Sequence, residues 1–135
     1  MAVTGSLSLA VRGKEDVLWA KQEAKRFAAA LPFSSDDLVR IEISVSELAS
    51  NMVKHAGGGR LTVQRIERDG REGVLVAAID HGPGIPDLQA ALKAGFSTAG
   101  SLGVGLSGIQ EHMDKVEITT RPGEGTCVEA EKWVV

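Results

Sequence analysis

Length, charge and cysteine content narrow the class of this chain. It has 135 residues, a formal net charge of −3 and one cysteine, Cys127. That length suits one domain over residues 1–135, and a weakly acidic chain without a basic run gives no support to nucleic-acid binding. One thiol excludes an internal disulfide framework, and no stretch has the pattern of a membrane span or a signal peptide. We therefore expect a cytoplasmic protein that binds neither nucleic acid nor membrane.

A strand and a helix open the predicted fold. Residues 6–12 alternate polar and apolar side chains, as a half-buried strand does. Residues 15–31 have the spacing of an amphipathic helix, which Pro32 ends. The apolar side chains available for packing on that helix are Val17, Leu18, Ala20, Ala24, Phe27, Ala28 and Leu31.

A second predicted helix begins near Asp36, with Asp36 or Asp37 as its N-cap, and stops at the glycines of residues 57–59. A carboxylate at the N-cap can accept hydrogen bonds from the free amides of the first turn. The helix is predicted from one apolar stripe with spacings of three and four residues, formed by Leu38, Ile41, Val45, Leu48 and Met52.

Two hairpins follow the helices. Residues 61–66 and 73–80 are predicted strands joined by a turn at Asp69-Gly70, and the second strand is apolar without alternation. It is therefore expected to be central and covered on both faces or nearly so. The remaining elements are a short helix at 87–94, a small-residue loop at 95–103, a helix at 104–113, and a hairpin of strands 116–120 and 126–135. Helices grouped between antiparallel hairpins predict an α+β two-layer sandwich.

The second helix carries a possible reactive pair, Glu47 and Asn51. Residues four apart on a helix converge on one point, and a carboxylate beside a carboxamide can orient a hydroxyl and bind a hard cation through oxygen. Exposed Glu and Asn are also common on the solvated face of helices, so the pair by itself is weak evidence for a site.

The stretch Asp80-His81-Gly82-Pro83-Gly84 places a carboxylate at the end of a buried strand. Glycine lets backbone approach a ligand closely, and the carboxylate can accept a hydrogen bond from an exocyclic amine such as that of adenine. The alternative is an ordinary turn in which Asp80 binds its own backbone.

A third motif, Gly103-Val104-Gly105-Leu106-Ser107-Gly108, is predicted to open a helix whose free amides suit a phosphate chain. It also satisfies the dinucleotide-fold pattern, which we reject because that pattern follows a strand directly within a βαβ unit, whereas residues 85–102 are predicted loop and short helix. The three histidines and the cysteine have no recognised metal spacing.

Together, in this order and spacing, the three motifs resemble the GHKL superfamily of ATP-binding domains, the Bergerat fold, which includes DNA gyrase and the histidine kinases. Within it the chain is similar to the small bacterial serine/threonine kinases of partner-switching pathways, and above all to the stressosome switch kinases, related to anti-sigma factor kinases. The likeness covers essentially the whole chain. It implies a mixed, mainly antiparallel sheet with helices on one face. The matching stretches are residues 46–51, 80–87, 95–98 and 123–126.

The resemblance assigns chemical roles to the polar residues. Asn51 would bind Mg²⁺ at the ATP phosphates, and Glu47 would be the general base for the attacking hydroxyl. Asp80 would bind the adenine amine, with Thr126 supporting it through water. Which basic group contacts the γ-phosphate, Lys54 or another, stays open.

The glycines receive roles in the same way. Gly82 and Gly84 would let adenine and the lid approach, and residues 89–102 would form that lid over ATP. The phosphate pocket would be lined by Gly103, Val104, Gly105, Leu106 and Gly108. His55, His81, His112 and Cys127 are not expected to have a catalytic role.

The function that the resemblance implies is an ATP- and Mg²⁺-dependent protein serine/threonine kinase. Its substrates would be STAS-domain proteins of a stressosome-like complex. After release from that complex, the kinase would bind the regulatory domain of a PP2C-type phosphatase and activate this phosphatase. Alternatives are an anti-sigma factor kinase, which would bind a sigma factor, and a nucleotide-gated binding module without turnover. The oligomeric state, a homodimer included, stays open.

Overall fold

The computed structural model describes residues 1–85 and 101–135, and of residues 101–105 it describes the backbone alone. The predicted short helix at 87–94, the loop from residue 95 to residue 100 and most of the expected lid therefore lie outside the described residues. In chain order, the elements are β1 (Ala2–Val11), α1 (Glu15–Ala28), α2 (Ser35–Ala56), β2 (Gly59–Arg68), β3 (Arg71–Asp80), α3 (Ser101–His112), β4 (Lys115–Arg121) and β5 (Gly125–Trp133).

The strands form one sheet in the order β1-β2-β3-β5-β4. Both predicted hairpins are present, as β2 with β3 and β4 with β5. The α+β two-layer class is confirmed, with the described helices packed on one face of the sheet. All four pairings between described strands are antiparallel, so the parallel pair implied by a mixed sheet is not found among them.

The strand β3 is central, as predicted, but only one of its faces is fully covered. Val74, Val76 and Ala78 point to the helices and are at most 3% exposed. Successive side chains alternate between faces, so Leu75, Ala77 and Ile79 point away from the helices. Ile79 is 38% exposed. The expectation of cover on both faces is therefore wrong at this end of the strand.

The helix α2 has the predicted apolar stripe but a different N-cap. Ile41, Val45, Leu48 and Met52 are buried, and Gly57 ends the helix in the left-handed conformation at φ 74°. The N-cap is Ser34 rather than Asp36 or Asp37, because the Ser34 hydroxyl accepts a hydrogen bond from the amide of Asp37 at 3.1 Å. The aspartates instead occupy the first turn, where they complement the positive end of the helix dipole.

The helix α1 ends earlier than predicted. It stops at Ala28, and the chain then makes backbone hydrogen bonds of turn type up to Leu31. Ala20, Ala24 and Ala28 are fully buried against the sheet and α2, whereas Leu18 is 56% exposed and does not join the core.

The helix α3 begins at Ser101, three residues before its predicted start at residue 104. Gly103 therefore lies within the helix instead of in the predicted loop at 95–103, whereas Gly105 and Gly108 lie within it as predicted. From residue 106 onward, where side chains are described, Leu106 and Ile109 are buried at 1% and 0% exposure and anchor the helix in the core.

A buried lysine joins α2, α3 and β5. The ammonium of Lys132, 8% exposed as a residue, donates a hydrogen bond to the carbonyl of His112 at 2.9 Å, at the C-terminal end of α3. It also forms ion pairs with Asp114 at 3.4 Å and with Asp37 at 3.6 Å, and Asp37 in turn pairs with Arg40 at 2.9 Å. This cluster fixes the N-terminal end of α2 beside the C-terminal end of α3.

None of the described helices is long and apolar enough to cross a membrane.

Candidate functional site

The helix α2 carries Glu47 and Asn51 one turn apart. Glu47 is half-buried, and Asn51 is 8% exposed. The Asn51 side-chain nitrogen Nδ2 is buried and has no hydrogen-bond partner among the described residues. Burying an amide donor unpaired costs about 1–3 kcal/mol, so buried polar groups of this kind need an explanation.

Asp80 ends β3, and its two carboxylate oxygens have different surroundings. Oδ1 accepts hydrogen bonds from the amides of Gly82 at 3.0 Å and Thr126 at 3.2 Å. Oδ2 accepts none from the described residues. The turn interpretation, in which Asp80 binds its own backbone, is therefore correct for one oxygen, and the second oxygen remains available to a donor on a ligand.

The loop after Asp80 is wedged between α2 and the β4–β5 hairpin. A Cβ on Gly82 would lie 2.5 Å from the Cβ of Ala56 in α2, and one on Gly84 would lie 2.5 Å from the carbonyl oxygen of Arg121. Gly84 also has φ 78°, a conformation that favours glycine. The amide of Gly123 donates to the carbonyl of Pro83 at 2.8 Å. The glycines of this motif thus allow close packing of the loop against two elements.

Thr126 lies opposite Asp80 in the register of β3 and β5. Its hydroxyl oxygen is 3.0 Å from that of Thr120, and Thr120 also accepts a hydrogen bond from the amide of Ile85 at 2.8 Å. Sequence reasoning identified Thr126 but missed Thr120. The only available signal was its position in the predicted strand 116–120, which does not show which loop its side chain meets.

Gly108 is half-buried on α3, a helix that contacts α2. No described atom lies within 4 Å of the position that a Cβ would occupy there. The described structure therefore leaves open space beside this glycine, in contrast to the tight packing of Gly82. The backbone of residues 103–105 is helical and belongs to the part of α3 that precedes Gly108.

The structure brings the predicted residues into two groups that the Asp80 loop connects. Asp80, Gly82, Gly84 and Thr126 meet at the junction of β3 and β5, and Gly82 packs against the end of the helix that carries Glu47 and Asn51. An unused carboxylate oxygen, a buried amide donor without a partner among the described residues and open space beside a helical glycine fit a bound ATP, and the side-chain oxygen of Asn51 is of the kind that Mg²⁺ takes as a ligand. Among the described residues, no group of three or more His, Cys, Asp or Glu side chains could hold a metal.

Cys127 follows Thr126 and lies opposite Ile79, on the face of the sheet away from the helices. Burial raises the pKa of the Cys127 thiol above its ordinary value, and the nearby carboxylates of Glu129 and Asp80 raise it further. A thiol held protonated in this way is a weak nucleophile, which agrees with the expectation that Cys127 has no catalytic role.

Comparison with known protein families identifies the fold that this geometry builds. Residues 14–132 match the model of the histidine kinase-like ATPase domain. The chain belongs to this family. The GHKL resemblance predicted from the three motifs is thereby confirmed, and the matched residues include Glu47, Asn51, Asp80 and Thr126.

Two curated relatives are a serine/threonine kinase and an anti-sigma factor. The chain is 39% identical over 119 residues to a protein named serine/threonine-protein kinase RsbT from Bacillus subtilis, covering 88% of this chain and 90% of the relative. It is 30% identical over 122 residues to an anti-sigma F factor from Caldanaerobacter subterraneus, covering 86% of this chain and 84% of that protein. The first match supports the predicted enzyme class.

Solved structures share the fold at low sequence identity. A Mycobacterium tuberculosis protein with RsbU and RsbW domains matches with a TM-score of 0.66 at 18% identity, over 96% of this chain and 32% of that one. The mycobacterial sensor histidine kinase MprB matches with a TM-score of 0.55 at 16% identity, over 96% and 97% of the two chains.

Proposed function

We propose that this protein is an ATP- and Mg²⁺-dependent serine/threonine kinase of a bacterial partner-switching pathway, acting in the cytoplasm as one domain over residues 1–135. Its similarity to the RsbT kinase over most of both chains supports this function. The substrates that we propose are STAS-domain proteins of a stressosome-like complex. After release from them, the kinase would bind and activate a PP2C-type phosphatase.

The observation that carries the proposal is the buried, unpartnered amide of Asn51, one helical turn from the half-buried carboxylate of Glu47. The fold keeps an amide at this position although no described group satisfies it. Acceptor oxygen atoms on a ligand, such as those of the ATP phosphates, would satisfy this donor, and the Asn51 side-chain oxygen Oδ1 is the atom that would hold Mg²⁺.

Each residue then has a separate part in phosphoryl transfer. Asn51 would hold Mg²⁺, which neutralises phosphate charge when bound. Asp80 would accept the amine of adenine through Oδ2, and the helix α3 would place its glycines beside the phosphates. Glu47 would accept the proton of the attacking serine or threonine hydroxyl. In phosphoryl transfer most of the rate gain comes from positioning and charge neutralisation, so this small set suffices.

The decisive experiment measures transfer of γ-labelled phosphate from ATP to a STAS-domain protein by wild type, Glu47→Gln and Glu42→Gln. Glutamine keeps the shape of glutamate but cannot accept the proton, so we expect transfer by Glu47→Gln to fall by about a hundredfold or more. ATP binding by the same variant should persist, as followed by calorimetry.

Glu42→Gln is the matched control on the same helix. Glu42 points toward α1 and forms an exposed ion pair with Lys25 at 3.7 Å. Its replacement should leave both transfer and ATP binding near wild type. Equal loss of transfer in the two variants would contradict the role of Glu47, and failure of the wild type to bind ATP would reject the proposed function.

A second candidate is an anti-sigma factor kinase, which the 30% identity to an anti-sigma F factor favours. It shares the ATP site and differs in its partner. Retention of a sigma factor by the immobilised protein, together with no retention of a phosphatase regulatory domain, would select this candidate.

The remaining alternative is the binding module without turnover. It would be selected if the wild type formed no phosphoprotein and the Glu47→Gln variant still bound ATP.

A further inference from the structure

The hydroxyl of Thr120 meets three groups, one in the loop after Asp80 and two at the start of β5. Its oxygen accepts a hydrogen bond from the amide of Ile85 at 2.8 Å, in the loop after Asp80. It lies 3.0 Å from the hydroxyl oxygen of Thr126 and 3.3 Å from the carbonyl oxygen of Gly125. Thr120 itself touches neither Asp80 nor α2 through any described hydrogen bond, so a role in the site must act through Thr126 or the loop.

The number of protons limits how these contacts are made. A hydroxyl has one proton to donate and two lone pairs that accept. The amide of Ile85 uses one lone pair of Thr120. The single Thr120 proton then goes either to Gly125 or to Thr126.

The two choices give Thr126 opposite properties. If Thr120 donates to Gly125, Thr126 must donate to Thr120, and it offers a ligand only lone pairs. If Thr120 donates to Thr126, the proton of Thr126 is free to point into the site. The Thr126 oxygen is the nearer acceptor, at 3.0 Å against 3.3 Å, and lies in the usual range for hydroxyl hydrogen bonds.

We propose that Thr120 is a positioning residue that turns the hydroxyl proton of Thr126 toward the bound nucleotide and so favours adenine over guanine. The inference rests on the proposed function, because it assigns a nucleobase to the same site. With Thr120 donating, the site presents an acceptor, Asp80 Oδ2, next to a donor, the Thr126 hydroxyl.

This pattern of donor and acceptor matches the edge of adenine. The exocyclic amine at position 6 of adenine donates a hydrogen bond, and ring nitrogen N1 accepts one. Guanine has the reverse arrangement, with an acceptor oxygen at position 6 and a donor at N1. A site that holds a half-buried carboxylate and a donor hydroxyl, acting directly or through one water, leaves its polar groups unpaired when guanine binds.

The test compares the dissociation constants of ATP and GTP for wild type, Thr120→Val, Thr120→Ser and Thr119→Val. Valine has nearly the shape of threonine but no hydroxyl, so we expect the preference for ATP over GTP to fall by about tenfold in Thr120→Val. Serine keeps the hydroxyl and should retain the wild-type preference.

Thr119→Val is the matched control, since Thr119 is the exposed neighbour on the same strand and lies opposite Cys127 on the other face of the sheet. It should behave as wild type. A role in stability alone would lower the melting temperature of Thr120→Val without changing the ratio of the two constants, and that result would overturn the inference. Loss of the preference in Thr120→Ser would overturn it as well.

A second measurement needs no variant at all. The analogue 1-deaza-ATP carries a C–H group in place of N1 and cannot accept the Thr126 proton. We expect the wild-type chain to bind it about tenfold more weakly than ATP. Equal binding of the two would overturn the inference while leaving the ATP site intact, whereas a wild type that binds no nucleotide would reject the proposed function and this inference together.

Discussion

At the scale of single residues, Asp80 shows how one carboxylate serves both the fold and the site. Oδ1 holds two backbone amides, which fixes the loop and the start of β5 around it. Oδ2 has no partner among the described residues. The two functions can be separated by a substitution that changes one oxygen only.

Asp80→Asn makes that separation. The asparagine oxygen can still accept from the amides of Gly82 and Thr126, while the second oxygen becomes an NH₂ group that cannot accept from adenine. We expect ATP to bind at least about tenfold more weakly, because a donor then faces a donor, while the melting temperature changes little. Calorimetric titration and thermal unfolding measure the two effects.

The control for this variant is Asp69→Asn, in the turn between β2 and β3. Asp69 has φ 54°, which asparagine also tolerates, and it lies at the hairpin tip away from Asp80. It should bind ATP as wild type does. Unchanged ATP affinity in Asp80→Asn would show that adenine is not bound by this carboxylate.

The polar residues of the candidate site were predictable to the extent that they are local in sequence. Asp80 and its glycines form one short motif, and the spacing of Glu47 and Asn51 follows from the helix period. Thr120 was not predictable, because its partners Ile85 and Thr126 are brought to it by the pairing of β4 with β5 and by the path of the loop. The split between the two oxygens of Asp80 depends on the same tertiary packing.

At the scale of elements, α3 begins three residues before its predicted start. Gly103 was predicted in a small-residue loop, and glycine weakens helices by roughly 1 kcal/mol relative to alanine. In the structure Gly103 lies on the first turn of the helix, and burial of Leu106 and Ile109 against the core supports α3. Tertiary packing has overridden local propensity here.

Gly108→Ala tests why α3 keeps a glycine beside open space. Alanine should stabilise the helix by about 0.5–1 kcal/mol, because no described atom blocks its Cβ and alanine has less freedom to lose on folding. The same methyl group would occupy space beside the phosphates, so we expect weaker ATP binding. Urea unfolding and nucleotide titration should therefore change in opposite directions.

Gly70→Ala is the comparison for this variant. Gly70 also has open space around its missing Cβ, but its φ of 77° disfavours alanine. It should lose about 1 kcal/mol of stability and bind ATP normally. If Gly108→Ala were more stable and bound ATP as well as wild type, the phosphates would not lie against this part of α3.

The existence of the described helices and strands could be predicted from sequence periodicity, whereas several of their ends could not. The segment before α2 offers Ser34, Ser35, Asp36 and Asp37 in succession, all competent N-caps. The choice of Ser34 depends on the path of the chain from Phe33, whose side chain is buried. The end of α1 at Ala28 is likewise decided by packing.

At the scale of the whole molecule, Lys132 connects the two helices on which the candidate site depends. Its ammonium meets the negative end of α3 at His112 and the first turn of α2 at Asp37, with side-chain exposures of 10% for Lys132 and 13% for Asp37. A cation at a helix C-terminus and an anion at a helix N-terminus both complement the helix dipole.

Lys132→Met would leave Asp37, Asp114 and the His112 carbonyl without this partner. We expect the free energy of unfolding to fall by about 3 kcal/mol, since removing one member of a buried ion pair strands the charge of the other. Lys115→Met is the control, because the exposed pair of Lys115 with Glu117, at 3.1 Å, should contribute less than about 1 kcal/mol. Equal losses in the two variants, measured in urea, would contradict a structural role for the cluster.

The order of strands in the sheet indicates when the candidate site forms during folding. The hairpins β2–β3 and β4–β5 each form from neighbouring segments, but Asp80 and Thr126 face each other across the seam where the two hairpins join. Contacts between distant segments form late, because closing the intervening loop costs entropy first. Neither hairpin alone contains both residues of the proposed adenine site, so we expect a nascent chain to bind ATP only after β5 has been synthesised and has docked on β3.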